Sequence, residues 1–150
     1  MDFRRNVMPI INEKCVRCHD ARGAPPRLDG GLEPVAHAGG GAYFNRAYES
    51  LLAPGASGDE EGSGGQYVHP GTARTSPLIW RIFGRNTSRP WDAATAPKRA
   101  DPVSGCEANR LTEDERRTFA EWIDMGALWD GIPGTDDLPG GSHHMQKGDR

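Results

Sequence analysis

Apolar residues recur with helical spacing in four separate stretches of the chain, and polar, glycine- and proline-rich segments divide them. Phe3, Val7, Ile10 and Ile11 fall at i, i+4, i+7 and i+8, one stripe of a helix within residues 2–14. Pro9 interrupts that stripe. Proline lacks an amide hydrogen and fixes its own φ, so the pattern predicts a turn followed by a short helix from about residue 8. Tyr43 to Leu52 predicts a second short helix, with Tyr43, Phe44, Tyr48, Leu51 and Leu52 as its contacts. Ser76-Pro77 predicts a third, with Ser76 as N-cap and Pro77 at the first position. Leu78, Ile79, Ile82 and Phe83 are its expected buried side, and Gly84 its stop. The last helix carries the fullest signal. Thr112 and Glu115 form a capping box, the acidic first turn suits the helix dipole, Phe119, Trp122 and Ile123 follow at i, i+3 and i+4, and Gly126 terminates.

The intervening segments read as irregular. Asp20 to Pro34 is rich in glycine and proline, and residues 87–110 contain Pro90, Pro97 and Pro102. Residues 55–65 hold five glycines in eleven positions with no apolar anchor, a surface loop. Past Ile132 the chain is polar. The expected organisation is one domain over 1–133 with a glycine-rich inserted loop at about 53–66, then a tail over 134–150; the fold class is all-α and loop-rich.

Composition sharpens this picture. Hydrophobic residues are 35% and aromatics 7% of 150 residues, thin for a self-sufficient core, so a further apolar body is expected inside the fold. The net charge of −3 gives no reason to expect a nucleic acid or an anionic membrane as partner. A mean hydropathy of −0.70 and the absence of a long apolar run exclude a transmembrane segment.

One motif names the apolar body. Cys15-Val16-Arg17-Cys18-His19 is a C-x-x-C-H run, the attachment signature of c-type haem. Two thiols at this spacing can each add to a vinyl group of one porphyrin, and the histidine that follows is then held under the iron as its proximal ligand. A single such run implies one covalently attached haem c. Two other readings exist. Cys15, Cys18, His19 and Cys106 could form a Cys3His zinc site, although His19 directly follows Cys18, an awkward arrangement for one tetrahedral metal. A thioredoxin-like redox pair would need a βαβ pattern that the sequence lacks. Because haem is attached to this motif outside the cytoplasm in bacteria, the chain is expected to be exported, periplasmic or extracellular. Either its leader has been removed or it is one domain of a larger exported chain. Cys106 is then left over in an oxidising compartment.

The order of elements resembles the class I cytochrome c plan, with N-terminal, middle and C-terminal helices around one haem. Phe3 through His19, Pro70-Gly71 with Ser76-Pro77-Leu78, and Leu111 through Ala127 look like the cytochrome c domains of planctomycete proteins. Ala73 to Trp80 and Gly126 to Asp130 are also similar to the C-terminal haem region of hydrazine synthase alpha subunit relatives. The resemblance implies Cys15 and Cys18 as thioethers, His19 as proximal ligand and a role in one-electron transfer. It does not imply hydrazine chemistry, because function resides in sites rather than folds.

The distal ligand is less determined. The resemblance implies a Met, or in some relatives a His, in the loop before the last helix, yet residues 91–110 contain neither. His69, in an extended turn, is the chosen distal candidate. Cys106, Met125, the loop and tail histidines His37, His143 and His144, a neighbouring molecule, or no ligand at all are the others. Pro25-Pro26 is expected to bring a backbone carbonyl to the His19 ring N–H. Trp80, Trp91, Trp122 and Trp129 are candidates for haem contact or core, and Arg74, Arg81, Arg85 and Arg89 for haem propionates, an acidic redox partner or a solvated face. The leading reading is an electron carrier, not itself an enzyme, whose partners are redox proteins, within a larger parent chain or a homo-oligomer. The alternatives are a haem enzyme or gas-binding module with an open distal site, and a haem-bearing self-assembling structural subunit.

Overall fold

The computed structural model describes residues 1–34, 43–53, 66–92 and 111–129. The glycine-rich insertion, Cys106, His37, His143, His144 and the tail expected over 134–150 lie outside the described residues. Helix dominates what is described. A π-helical turn over Phe3–Val7 leads directly into α1 (Met8–Lys14), β1 (Leu32–Pro34) pairs with β2 (Tyr43–Asn45), and α2 (Arg46–Leu52), α3 (Pro77–Phe83) and α4 (Glu113–Asp124) follow. This is the helix-rich, loop-rich chain that the sequence predicts, with one short antiparallel pairing added. The register sets Leu32 opposite Asn45, Glu33 opposite Phe44 and Pro34 opposite Tyr43.

The start of the chain behaves as Pro9 dictates. The helix proper begins at Met8 with the proline in its first two positions. The wider turn before it is capped by Asp2, whose carboxylate accepts the Arg5 amide at 2.8 Å. Residues 43–45 are extended rather than helical. Asn45 is the reason, because its side chain accepts the Ala47 amide at 2.7 Å and so starts α2 at Arg46. α4 carries both halves of its capping box, Thr112 Oγ1 accepting from the Glu115 amide at 3.2 Å and Glu115 accepting from the Thr112 amide at 2.6 Å.

Two expectations about α3 need correcting. Ser76 occupies the N-cap position, but its side chain makes no capping bond; it accepts the His69 amide and donates to the Thr72 carbonyl instead. Trp80, not Phe83, is buried on this helix, because its indole N–H reaches the Arg74 carbonyl at 2.8 Å while Phe83 sits at the solvated end. Gly84 ends α3 in the left-handed region at φ 64°.

The core joins the two ends of the chain. Phe3, Val7 and Ile11 pack with Leu51, Val68, Phe119, Trp122 and Ile123. Phe3 lies 5.1 Å from Tyr48, 5.3 Å from Trp122 and 5.7 Å from Trp129, ring centre to ring centre. The segment after α4 ties these parts together. Its Leu128 carbonyl accepts from the Phe3 amide at 3.0 Å and from the Trp122 indole at 2.9 Å, and the Ala127 carbonyl accepts from the Tyr48 hydroxyl at 2.9 Å. No helix among the described residues is long and apolar enough to cross a membrane.

Candidate functional site

The C-x-x-C-H run is the continuation of α1. The Cys15 and Val16 amides both donate to the Ile11 carbonyl, at 2.9 and 3.1 Å, and the Cys18 and His19 amides both donate to the Cys15 carbonyl at 3.0 Å. These tight turns hold the two cysteines and the histidine in one compact bend. Cys15 and Cys18 are half-buried and not joined in a disulfide.

His19 is oriented by the loop that follows. Its Nδ1 lies 2.9 Å from the Ala24 carbonyl oxygen and 3.1 Å from that of Pro26. Carbonyl oxygens only accept, so Nδ1 carries the hydrogen and the ring lone pair is on Nε2. This is the backbone-carbonyl contact to the His19 ring expected of Pro25-Pro26, with the Ala24 carbonyl as a further partner. The loop is closed by the Leu28 amide, which donates to the His19 carbonyl at 2.7 Å. Gly23 packs so tightly under Cys18 that a Cβ there would collide with the Cys18 carbonyl oxygen.

His19 and Cys15 line a pocket with Lys14, Pro25, Pro26, Leu28, Tyr67, Leu78, Arg81, Ile82 and Leu111. The pocket opens to solvent on one side. The walls are almost entirely apolar, with the cationic side chains of Lys14 and Arg81 as the exceptions. An imidazole oriented by backbone carbonyls, neighbouring thiols and an apolar cleft are groups whose chemistry fits a haem.

Not every candidate meets there. His69 is not among the residues lining the pocket. It is half-buried between Val68 and Pro70, its amide donating to Ser76 Oγ at 2.9 Å, and burial holds its imidazole below the ordinary histidine value. Met125 caps α4 and is 56% exposed, rather than packed against the first helix. None of the four tryptophans lines the pocket: Trp80 and Trp122 are core, Trp129 is half-buried, and Trp91 is 71% exposed under Arg89. Arg74 is committed to Asp92 by two hydrogen bonds of 2.8 Å. That pair, and the Arg89 amide next to it, lower the Asp92 carboxyl to about 2. Among the described residues no group of three or more His, Cys, Asp and Glu is placed to hold a metal ion.

Several lining residues escape sequence reasoning. Leu28 and Leu111 are lone apolar residues beside polar loops, with no periodicity to mark them. The one signal that could have found Leu111 is its position immediately before the Thr112 cap. Tyr67 reads only as part of an extended piece; its carbonyl accepts the Leu78 amide at 2.8 Å, which sets it against α3.

No family model matches the chain. Over 143 residues it is 46% identical to hydrazine synthase subunit alpha of Kuenenia stuttgartiensis, an alignment covering 93% of this chain and 17% of that protein. The chain is homologous to a segment of that subunit. The solved hydrazine synthase of Kuenenia stuttgartiensis superposes with a TM-score of 0.69 at 44% identity, covering 92% of this chain and 17% of that one. The chain therefore spans less than a fifth of the hydrazine synthase subunit it matches. That span is consistent with a larger parent chain.

Proposed function

We propose that the chain is an exported domain of class I cytochrome-like arrangement that holds a single haem c and passes single electrons. The observation that carries the reading is His19, fixed by two backbone carbonyls in a metal-ligating tautomer on the wall of an apolar pocket, with Cys15 beside it. In this reading Cys15 and Cys18 bind the porphyrin through thioethers and His19 ligates the iron. The haem, when bound, supplies a reversible one-electron couple. The chain's residues do the rest. The Ala24 and Pro26 carbonyls hold the imidazole ring and raise its basicity. Leu28, Leu78, Ile82 and Leu111 exclude water, which favours the less charged state of a buried centre. His69 is the proposed distal ligand, and because it does not line the pocket in this structure, the Tyr67–Pro70 segment would have to turn it toward the iron. A His69→Ala variant should lose six-coordinate, low-spin character; an unchanged spectrum would remove His69 from the assignment.

A second reading has its own support. The similarity to a segment of hydrazine synthase favours a haem centre with an open distal site working inside a larger enzyme assembly. Carbon monoxide added to the reduced protein separates the two. An electron carrier with both axial positions filled binds it slowly or not at all, whereas rapid binding indicates an open distal site where substrate chemistry occurs.

A further inference from the structure

The pocket contains one charge that no carboxylate among the described residues answers. Leu78, Arg81 and Ile82 lie at i, i+3 and i+4 on α3, and all three face the pocket. Leu78 and Ile82 make apolar wall there, while Arg81 brings a guanidinium to it. Tyr67, 3% exposed and bound through its carbonyl to the start of α3, sits under that guanidinium at 5.3 Å from its ring centre. The stacking holds the group in place without neutralising it.

The other cations nearby are already balanced or turned away. Lys14, also on the pocket wall, has its ammonium 2.7 Å from the Glu13 carboxylate and 3.9 Å from that of Glu115. Arg74 is paired with Asp92. Arg89 lies over Trp91 at 5.3 Å, and Arg85 does not line the pocket. Arg81 is thus the pocket cation with no carboxylate partner among the described residues. A site with apolar walls and one positioned, uncompensated guanidinium suits a ligand that is apolar over most of its surface and anionic at an edge. Arginine is the side chain best built for a carboxylate, because its planar fork can donate two parallel N–H bonds.

We propose that Arg81 holds a carboxylate of the bound porphyrin, and that Arg74, Arg85 and Arg89 do not. The inference rests on the haem reading of the pocket. It makes Arg81 a positioning residue that sets the protonation of that carboxylate, and through it the pH dependence of the reduction potential.

The test uses the full chain matured with haem in a bacterial periplasm. Its midpoint potential is followed against pH by spectroelectrochemistry at low ionic strength, where pairing is screened least. Three proteins are compared: wild type, R81M, which keeps an apolar stem over Tyr67 without the charge, and R81K, which restores the charge. The acid-side break in the potential should move up by about one pH unit in R81M, the low end for a carboxylate losing a cation because Arg81 is solvent-exposed. R81K should leave the break in place. R81Q serves the same comparison where R81M is not recovered folded. Superimposable curves for R81M and wild type overturn the proposal, as does an equal displacement by R81K, which would indicate packing rather than charge. Wild-type protein recovered without haem would overturn the site reading and this inference together; haem-loaded protein with an unmoved R81M curve overturns this inference alone.

Discussion

Ser76→Ala isolates one buried hydrogen-bond hub and gives a magnitude that the structure constrains closely. Ser76 is fully buried, at 0% exposure. Its Oγ accepts the His69 amide at 2.9 Å and donates to the Thr72 carbonyl at 3.1 Å. Its backbone carbonyl accepts from the Ile79 and Trp80 amides at 2.9 and 3.3 Å, and alanine leaves those bonds intact. The start of α3 is therefore untouched, and the lost volume is a single oxygen. The Thr72 carbonyl keeps two other donors, the Thr75 amide at 3.2 Å and the Thr75 hydroxyl at 3.1 Å. What remains is the His69 amide, stranded without its partner. Leaving a buried donor unsatisfied costs about 1–3 kcal/mol, and because this amide is only part-buried a loss near the low end, about 1 kcal/mol, is expected. Urea denaturation of the haem-loaded protein followed by circular dichroism measures it: the midpoint should fall with the slope unchanged. Thr72→Val is the contrast, because that exposed hydroxyl donates to the His69 carbonyl from the surface, and its loss should stay within about 0.5 kcal/mol. A Ser76→Ala protein as stable as wild type within about 0.5 kcal/mol would refute the reasoning.

Other substitutions probe the remaining parts. Phe3→Ala empties the aromatic cluster that joins the two chain ends and should cost about 3–5 kcal/mol, read from the same denaturation curves. Gly23→Ala forces a Cβ into the Cys18 carbonyl and displaces the loop that presents the Ala24 and Pro26 carbonyls. It should cost at least about 1–3 kcal/mol and lower the yield of haem-loaded protein. Gly31→Ala, which meets only the flexible end of Arg46, should mature normally. Acid should act through Asp92, whose carboxyl the Arg74 hydrogen bond holds at about 2. Between about pH 4 and that value the unfolded chain binds more protons than the folded one, so stability falls as pH drops across the window. Arg74→Gln should flatten that fall, and denaturation midpoints over an acid series would reveal it.

The sequence carried different parts of this molecule with different clarity. α4 was legible to its cap because Thr112 and Glu115 act on each other locally, as were the break at Pro9 and the left-handed stop at Gly84. Side-chain direction was less legible. Phe83 and Trp80 both suit a buried face, and only the reach of the indole to the Arg74 carbonyl decides between them. Ser76 looked like a cap because it precedes Pro77, but a hydroxyl takes whichever partner burial strands, here the His69 amide. The short β1–β2 pairing has three residues in each strand and no alternation long enough to register. At the candidate site, that Cys15, Cys18 and His19 share one bend follows from adjacency alone. The walls do not: Tyr67, Leu28 and Leu111 come from segments far apart in sequence, and only folding brings them to His19.

The account depends on a porphyrin joined covalently to Cys15 and Cys18 with its iron on His19. An intact mass spectrum of the protein matured in the periplasm tests this most directly, taken beside a Cys15→Ala/Cys18→Ala variant. The account predicts that wild type exceeds its polypeptide mass by one haem, survives denaturation with that mass, and shows a Soret band, while the variant carries none. A wild-type mass equal to the bare polypeptide would contradict it.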